Sequence, residues 1–126
     1  METDKMRRCI FFVMVIICAG VFNTVNADAV PFTSGIKLVD HMKENDKAVS
    51  GMKEVDWLKT GLYLGFIGGV YDACDGAFFC ASPSDPTQGE IVSTVSKYLK
   101  ENPERWNEPA VVLVVDALKE AYPCPQ

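Results

Sequence analysis

This sequence contains a single histidine, His41, no C-x-x-C spacing, no glycine-rich phosphate loop and no nucleophile elbow. Each absence removes a class of chemistry. A Cys/His nucleophilic pair would have to recruit His41, and a Cys3His zinc site would lack the paired-cysteine spacing that usually builds one. No strand-like alternation and no internal repeat occur, which leaves helices as the building material. Positive charge is also scarce: 12 Lys and Arg stand against 17 Asp and Glu. A net negative chain is a poor ligand for nucleic acid or anionic membrane; it permits a basic protein partner and equally fits a surface that is charged only for solubility. No cofactor is implied. From the residues alone the expectation is a small helical binding or interaction module, not an enzyme.

The first residues read as an export signal. Lys5, Arg7 and Arg8 precede an apolar run over residues 9–22, and Val25-Asn26-Ala27 supplies the small residue wanted before a cleavage point. Residues 1–27 are therefore expected to be a signal peptide cut after Ala27, leaving no membrane attachment. Ile17 before Cys18 argues against a lipoprotein signal, and Arg7-Arg8 lacks the rest of a twin-arginine pattern. The remaining chain, 28–126, carries nine basic and fifteen acidic residues, a net charge of −6, and is long enough for one modest core.

Three cysteines survive maturation, Cys74, Cys80 and Cys124. In an exported chain they read as one disulfide and one leftover thiol. Cys80–Cys124 is the favoured pairing, because both lie in proline-closed segments at helix ends, while Cys74 sits inside a helical pattern as a small apolar residue. The other two pairings remain open.

Along the chain, about four helices are expected. Thr33 or Ser34 can cap the first, with Ile36, Leu38, Val39 and Met42 on its apolar side and Lys43 and Glu44 solvated, before Asn45-Asp46 loosens it. Residues 47–54 read as a polar connection. Residues 56–80 read as one long central helix capped by Asp56, nearly apolar all round and buried on more than one side. Its glycines, Gly61, Gly65 and Gly69 with Gly68 beside them, each cost about 1 kcal/mol in a helix. Another backbone is expected to lie against them. The apolar stretch ends at Lys59 and Asp72, too short to span a membrane, which needs about 20 residues. Asp72 and Asp75 invite a catalytic reading, but the simpler one has one carboxylate bonding nearby free amides and the other facing water.

Ser82, Pro83, Ser84, Asp85, Pro86 and Thr87 form a loop, and Thr87 with Glu90 matches a capping box that opens a third helix striped by Ile91, Val92, Val95, Tyr98 and Leu99. Asn102-Pro103 ends it. Asn107 is expected to cap a fourth helix, with Val111, Val114, Val115, Leu118 and Ala121 on its buried face. Tyr63, Tyr71, Tyr98, Trp57 and Trp106 read as core or rim aromatics.

An ordered set of short motifs then points further: Ser34-Gly35-x-x-Leu38; Gly65-Phe66-Ile67-x-Gly69-Val70-x-Asp72-Ala73; Phe79-Cys80-x-x-Pro83; Val95-x-x-Tyr98-Leu99-x-x-Asn102-Pro103-Glu104; Glu108-Pro109-Ala110; and Ala117-Leu118-x-x-Ala121-Tyr122-Pro123-Cys124. Together they resemble the Rap/Tai family of type VI secretion immunity proteins. The resemblance implies a periplasmic all-α protein, often a homodimer, that binds a cell-wall amidase effector and occludes its active site. It also implies that Cys80 and Cys124 are the bridged pair. Family members commonly carry one cysteine late in helix 1 and another just before the Gly-Phe step, where this chain has His41-Met42 and Tyr63, so a second bridge clamping helix 1 is missing. An inhibitor needs a preorganised protrusion, and residues 82–87 are the candidate, with Asp85 placed to meet a basic rim. The connection over residues 45–54 is the second candidate. The alternative is an exported helical interaction or chaperone-like module with no toxin partner.

Overall fold

The computed structural model describes residues 31–125; the expected signal peptide and its cleavage point lie outside them. Four α-helices follow in order, α1 Gly35–Val49, α2 Trp57–Cys74, α3 Gln88–Glu101 and α4 Ala110–Ala121, with 3-10 turns at Ser82–Ser84 and Pro103–Arg105. The expected all-α bundle is what the described residues form. α2 is its hub: it packs most extensively on α1, and it also touches α3 and α4, which pack on each other.

The helix starts are made by local chemistry. Ser34 caps α1, accepting the amide of Lys37 at 3.4 Å. The Asp56 carboxylate accepts the amides of Leu58 and Lys59, both at 3.1 Å, and opens α2. Thr87 and Glu90 form the reciprocal capping box of α3. α4 departs from expectation. Its cap is Pro109 and its first residue Ala110, while Asn107 is exposed. A distant contact sets this start: Ala110 donates its amide to the Thr33 carbonyl at 3.0 Å and Gly35 donates to the Glu108 carbonyl at 2.8 Å, tying the start of α1 to the α3–α4 junction. Gly35 is required there, since a Cβ would sit 2.5 Å from Leu113 Cδ1 and 2.6 Å from the Trp106 carbonyl oxygen. This docking turns α4 so that Ala110, Leu113, Val114, Ala117 and Leu118 face inward, leaving Val111 and Ala121 exposed.

The core consists of Leu38, Val39 and Met42 from α1, Tyr63, Ile67 and Val70 from α2, and Ile91, Val92, Val95 and Leu99 from α3, closed by the α4 face. Tyr63 is fully buried, and its hydroxyl lies 2.8 Å from that of Ser96 across the α2–α3 contact. Among the described residues no disulfide joins α1 to α2, and packing and ion pairs hold them together. Lys59 and Asp40 pair at 2.7 Å, and Glu44 accepts the Asp56 amide at 3.0 Å while pairing with Lys47 at 2.6 Å. Glu44 is thus half-buried and engaged, not simply solvated. These bonds hold its carboxyl below the ordinary range, the Asp56 amide foremost. α1 also runs on through residues expected to be connection, ending at Val49 with Gly51 left-handed just beyond.

Two expectations for the central helix are overturned. It ends at Cys74, six residues short of Cys80, because Asp75 turns extended and Gly76 takes φ 79°. It is also buried on one side only. Thr60, Tyr63, Ile67 and Val70 face the core, whereas Gly61, Gly65 and Gly69 are exposed, and none of the described residues lies within 4 Å of a Cβ built on them or on Gly68. Among the described residues no backbone packs against the glycine strip.

Candidate functional site

The segment from Asp75 to Thr87 is a loop anchored at its base and free at its tip. Cys80 and Cys124 are joined with a sulfur–sulfur distance of 2.04 Å, tying the segment after α2 to the end of the chain. Next to the bridge, Cys80 donates its amide to the Tyr122 carbonyl at 2.9 Å. Phe79 and Ala81 are fully buried on either side of it, with the Phe79 ring 5.8 Å from that of Tyr71. Asp75 completes the anchor. Its carboxylate accepts the Ala81 amide at 2.8 Å and a hydrogen bond from the Ser82 hydroxyl, and these bonds, Ser82's first, keep its pKa below the usual value. Asp75 thus bonds the next segment while Asp72 is exposed, the simpler of the two readings of that pair.

Beyond this base, Ser82, Pro83, Ser84 and Asp85 are exposed. The turn Ser82–Ser84 ends in Asp85, which adopts φ 44° and donates its amide to the Ser82 carbonyl at 3.1 Å. Left-handed backbone is uncommon outside glycine, though aspartate tolerates it better than most residues. Pro83 and Pro86 restrict the turn, and the capping box at Thr87 fixes its exit. Five of the six loop residues expected to meet a partner therefore stand in the open, with Pro86 half-buried. The second candidate connection fares differently. Asn45 is buried in α1, and Asn45, Asp46 and Val49 line one wall of a cleft of about 630 Å³ facing α3.

Sequence reasoning missed a second surface, the outer face of α2. Trp57 is 68 % exposed and Leu58 73 %, Leu62 is also exposed, and the glycines lie among them. Phe32, almost wholly exposed, borders the same face through a pocket it shares with Gly61, Leu62, Gly65 and Phe66. The signal was present: at 100° per residue, Trp57, Leu58, Gly61, Leu62, Gly65, Gly68, Gly69, Asp72 and Ala73 fall within an arc of about 160° containing one charge. Because the rest of the helix is apolar too, that arc did not stand out as an outside.

Among the described residues no group of three or more His, Cys, Asp or Glu side chains is placed to hold a metal, and no helix is long and apolar enough to cross a membrane. The fold and its exposed features define a four-helix, disulfide-tied protein presenting a braced loop and an apolar helix face. The family of Rap1a immunity proteins matches residues 34–124, from the cap of α1 to the terminal disulfide, and the chain belongs to that family. A search of curated proteins finds no match.

Proposed function

We propose that this chain is a periplasmic immunity protein that binds a peptidoglycan amidase delivered by a type VI secretion system and inhibits it by occluding its active site. The observation that carries the reading is the family match, which spans the helical unit from Ser34 to Cys124 and implies a toxin effector as partner. Three features support the finer statement. A disulfide suits an oxidising compartment outside the cytoplasm. The loop over residues 82–87 is held by the bridge, Asp75 and the Thr87 capping box, so insertion into a cleft would cost little ordering entropy. Asp85 at its tip offers a carboxylate to a basic rim, in keeping with the acidic balance of the chain. The protein acts as a homodimer in this reading.

The test is periplasmic co-expression with the product of the adjacent reading frame, where that frame encodes a secreted hydrolase, counting surviving cells. Rescue by the exported chain, lost when residues 1–27 are deleted, is the expected result. Toxicity undiminished by a folded, exported chain would remove that hydrolase as the cognate effector.

A further inference from the structure

The cleft between α1 and α3 holds a buried polar group that the fold does not pair. Asn45 on α1 is 7 % exposed and its side-chain amide makes no hydrogen bond among the described residues, yet no fully enclosed polar side-chain atom there lacks a partner. The amide therefore opens onto the cleft that Asn45 lines. A ligand that covers the cleft must satisfy this amide or lose affinity. At about 630 Å³ the cleft has the volume of a natural ligand site.

The lining decides the chemistry of the occupant. The Asn45 amide offers a donor and an acceptor side by side, the complement of a peptide unit. Leu64 and Val92 supply apolar wall, and the charged residues are matched among themselves, Asp46 with Lys100 of the facing helix at 2.9 Å and Lys97 with Glu101 at 4.0 Å. A charged ligand would give up its hydration for no free counter-charge. A lipid chain would strand the amide. A sugar would lack a flat ring for its apolar face, since no aromatic side chain lines the cleft. An uncharged peptide segment fits, provided its own N–H and C=O groups are not already spent in a helix or sheet. Position says whose segment it is. Gln88 and Gly89, which line the cleft, directly follow Thr87, and a second recess of about 270 Å³ lined by Pro86 shares Gln88 and Val92 with it. The hollow thus runs on from the 82–87 loop into the cleft, and a protein seated on that loop has the cleft beside it.

We propose that the α1–α3 cleft is a second contact for the effector, which lays an extended, uncharged segment into it and pairs one peptide group with the Asn45 side chain. This rests on the immunity reading above and carries the contact beyond the loop tip.

The probe is the hydrolase that the exported chain neutralises in the survival test, titrated calorimetrically into the oxidised, signal-free chain. Asn45→Leu keeps the size of the side chain and removes its polar atoms, so the melt should hold or rise while Kd rises at least tenfold. Ser93→Trp, at an exposed position on the α3 wall, should fill the cleft and raise Kd as much, again with the melt retained. Parent affinity in both variants would overturn the cleft contact; if Ser84→Trp with Asp85→Lys still weakened binding, the immunity reading and its loop would stand. Weakening by Ser93→Trp but not by Asn45→Leu would overturn it too, because a partner that only passes over the mouth needs no amide. If no hydrolase is neutralised, the immunity reading falls first and takes this site with it.

Discussion

The hydroxyls of Tyr63 and Ser96 lie 2.8 Å apart in the buried contact between α2 and α3, each the other's partner. Burial drives the Tyr63 phenol well above its ordinary pKa, so it remains a neutral donor or acceptor at any working pH. Removing one hydroxyl strands the other. Tyr63→Phe or Ser96→Ala should each cost about 1–3 kcal/mol, and the double variant should cost less than the sum. Urea unfolding of the four proteins gives the coupling directly; strict additivity would mean that the two groups do not depend on each other.

The Cys80–Cys124 bridge closes a loop with a sequence separation of 44. On the chain-entropy estimate it stabilises the fold by about 4 kcal/mol. Paired Cys80→Ser and Cys124→Ser substitutions should lower stability by that order. They should also open the 82–87 segment to protease before the helices melt, since the bridge holds its base. Simultaneous loss of loop and helices would mean that the bridge acts only on the whole fold.

Asp75 makes the loop sensitive to acid. Its folded pKa is lowered, so its contribution is present above the ordinary aspartate value of 3.8 and is lost as pH falls from there through the folded value. Amide exchange at residues 76–85 should therefore quicken, relative to the α3 core, below that point and stay level above it. Asp75→Asn should show quickened loop exchange already at neutral pH, with the acid step gone.

The glycines separate into two kinds by what surrounds them. Gly35→Ala forces a Cβ against Leu113 and the Trp106 carbonyl and should destabilise by about 1–3 kcal/mol. Gly61→Ala meets open space within the protomer, so at dilutions where copies stay apart it should stabilise by about 0.5–1 kcal/mol. Thermal melts of both variants at low concentration decide the matter; a destabilised Gly61→Ala monomer would show that the strip is packed within the protomer after all.

That contrast also marks what could be read in advance. The Asp56 cap, the Thr87–Glu90 box and the proline-bounded loop are short-range signals, and each lies where its residues place it; the distant Cys80–Cys124 pair was legible because few cysteines remain to choose from and the two lie at helix ends. The inward face of α4 was misjudged because Thr33 and Gly35, more than seventy residues earlier, fix its rotation. α1 continues past Asn45-Asp46 because Lys100 pairs with Asp46 at 2.9 Å and Asp56 bonds Glu44, partners visible only in the fold. On α2 an apolar composition all round hides the outside, and only the absence of neighbours at Gly61, Gly65 and Gly69 reveals it.

The loop tip carries the most direct functional prediction. Ser84 and Asp85 are exposed and lie beyond the contacts that anchor the segment, so changing their side chains should leave the fold intact. Asp85→Lys reverses the charge offered to a basic rim, and Ser84→Trp adds bulk where a cleft would have to close around the tip. Because Asp85 sits at φ 44°, lysine there is somewhat strained, and Asp85→Gly serves as the control that relieves the backbone while deleting the carboxylate. If the tip enters the effector's active site, Ser84→Trp with Asp85→Lys should weaken inhibition by at least tenfold, roughly 1.4 kcal/mol, with the melt shifted little. Asp85→Gly should fall between the two, and its deficit should shrink as salt is raised, since screening weakens the parent's charge attraction as well. Unchanged affinity in the double variant would move the effector contact away from residues 82–87, leaving the cleft between α1 and α3 as the next surface to mutate.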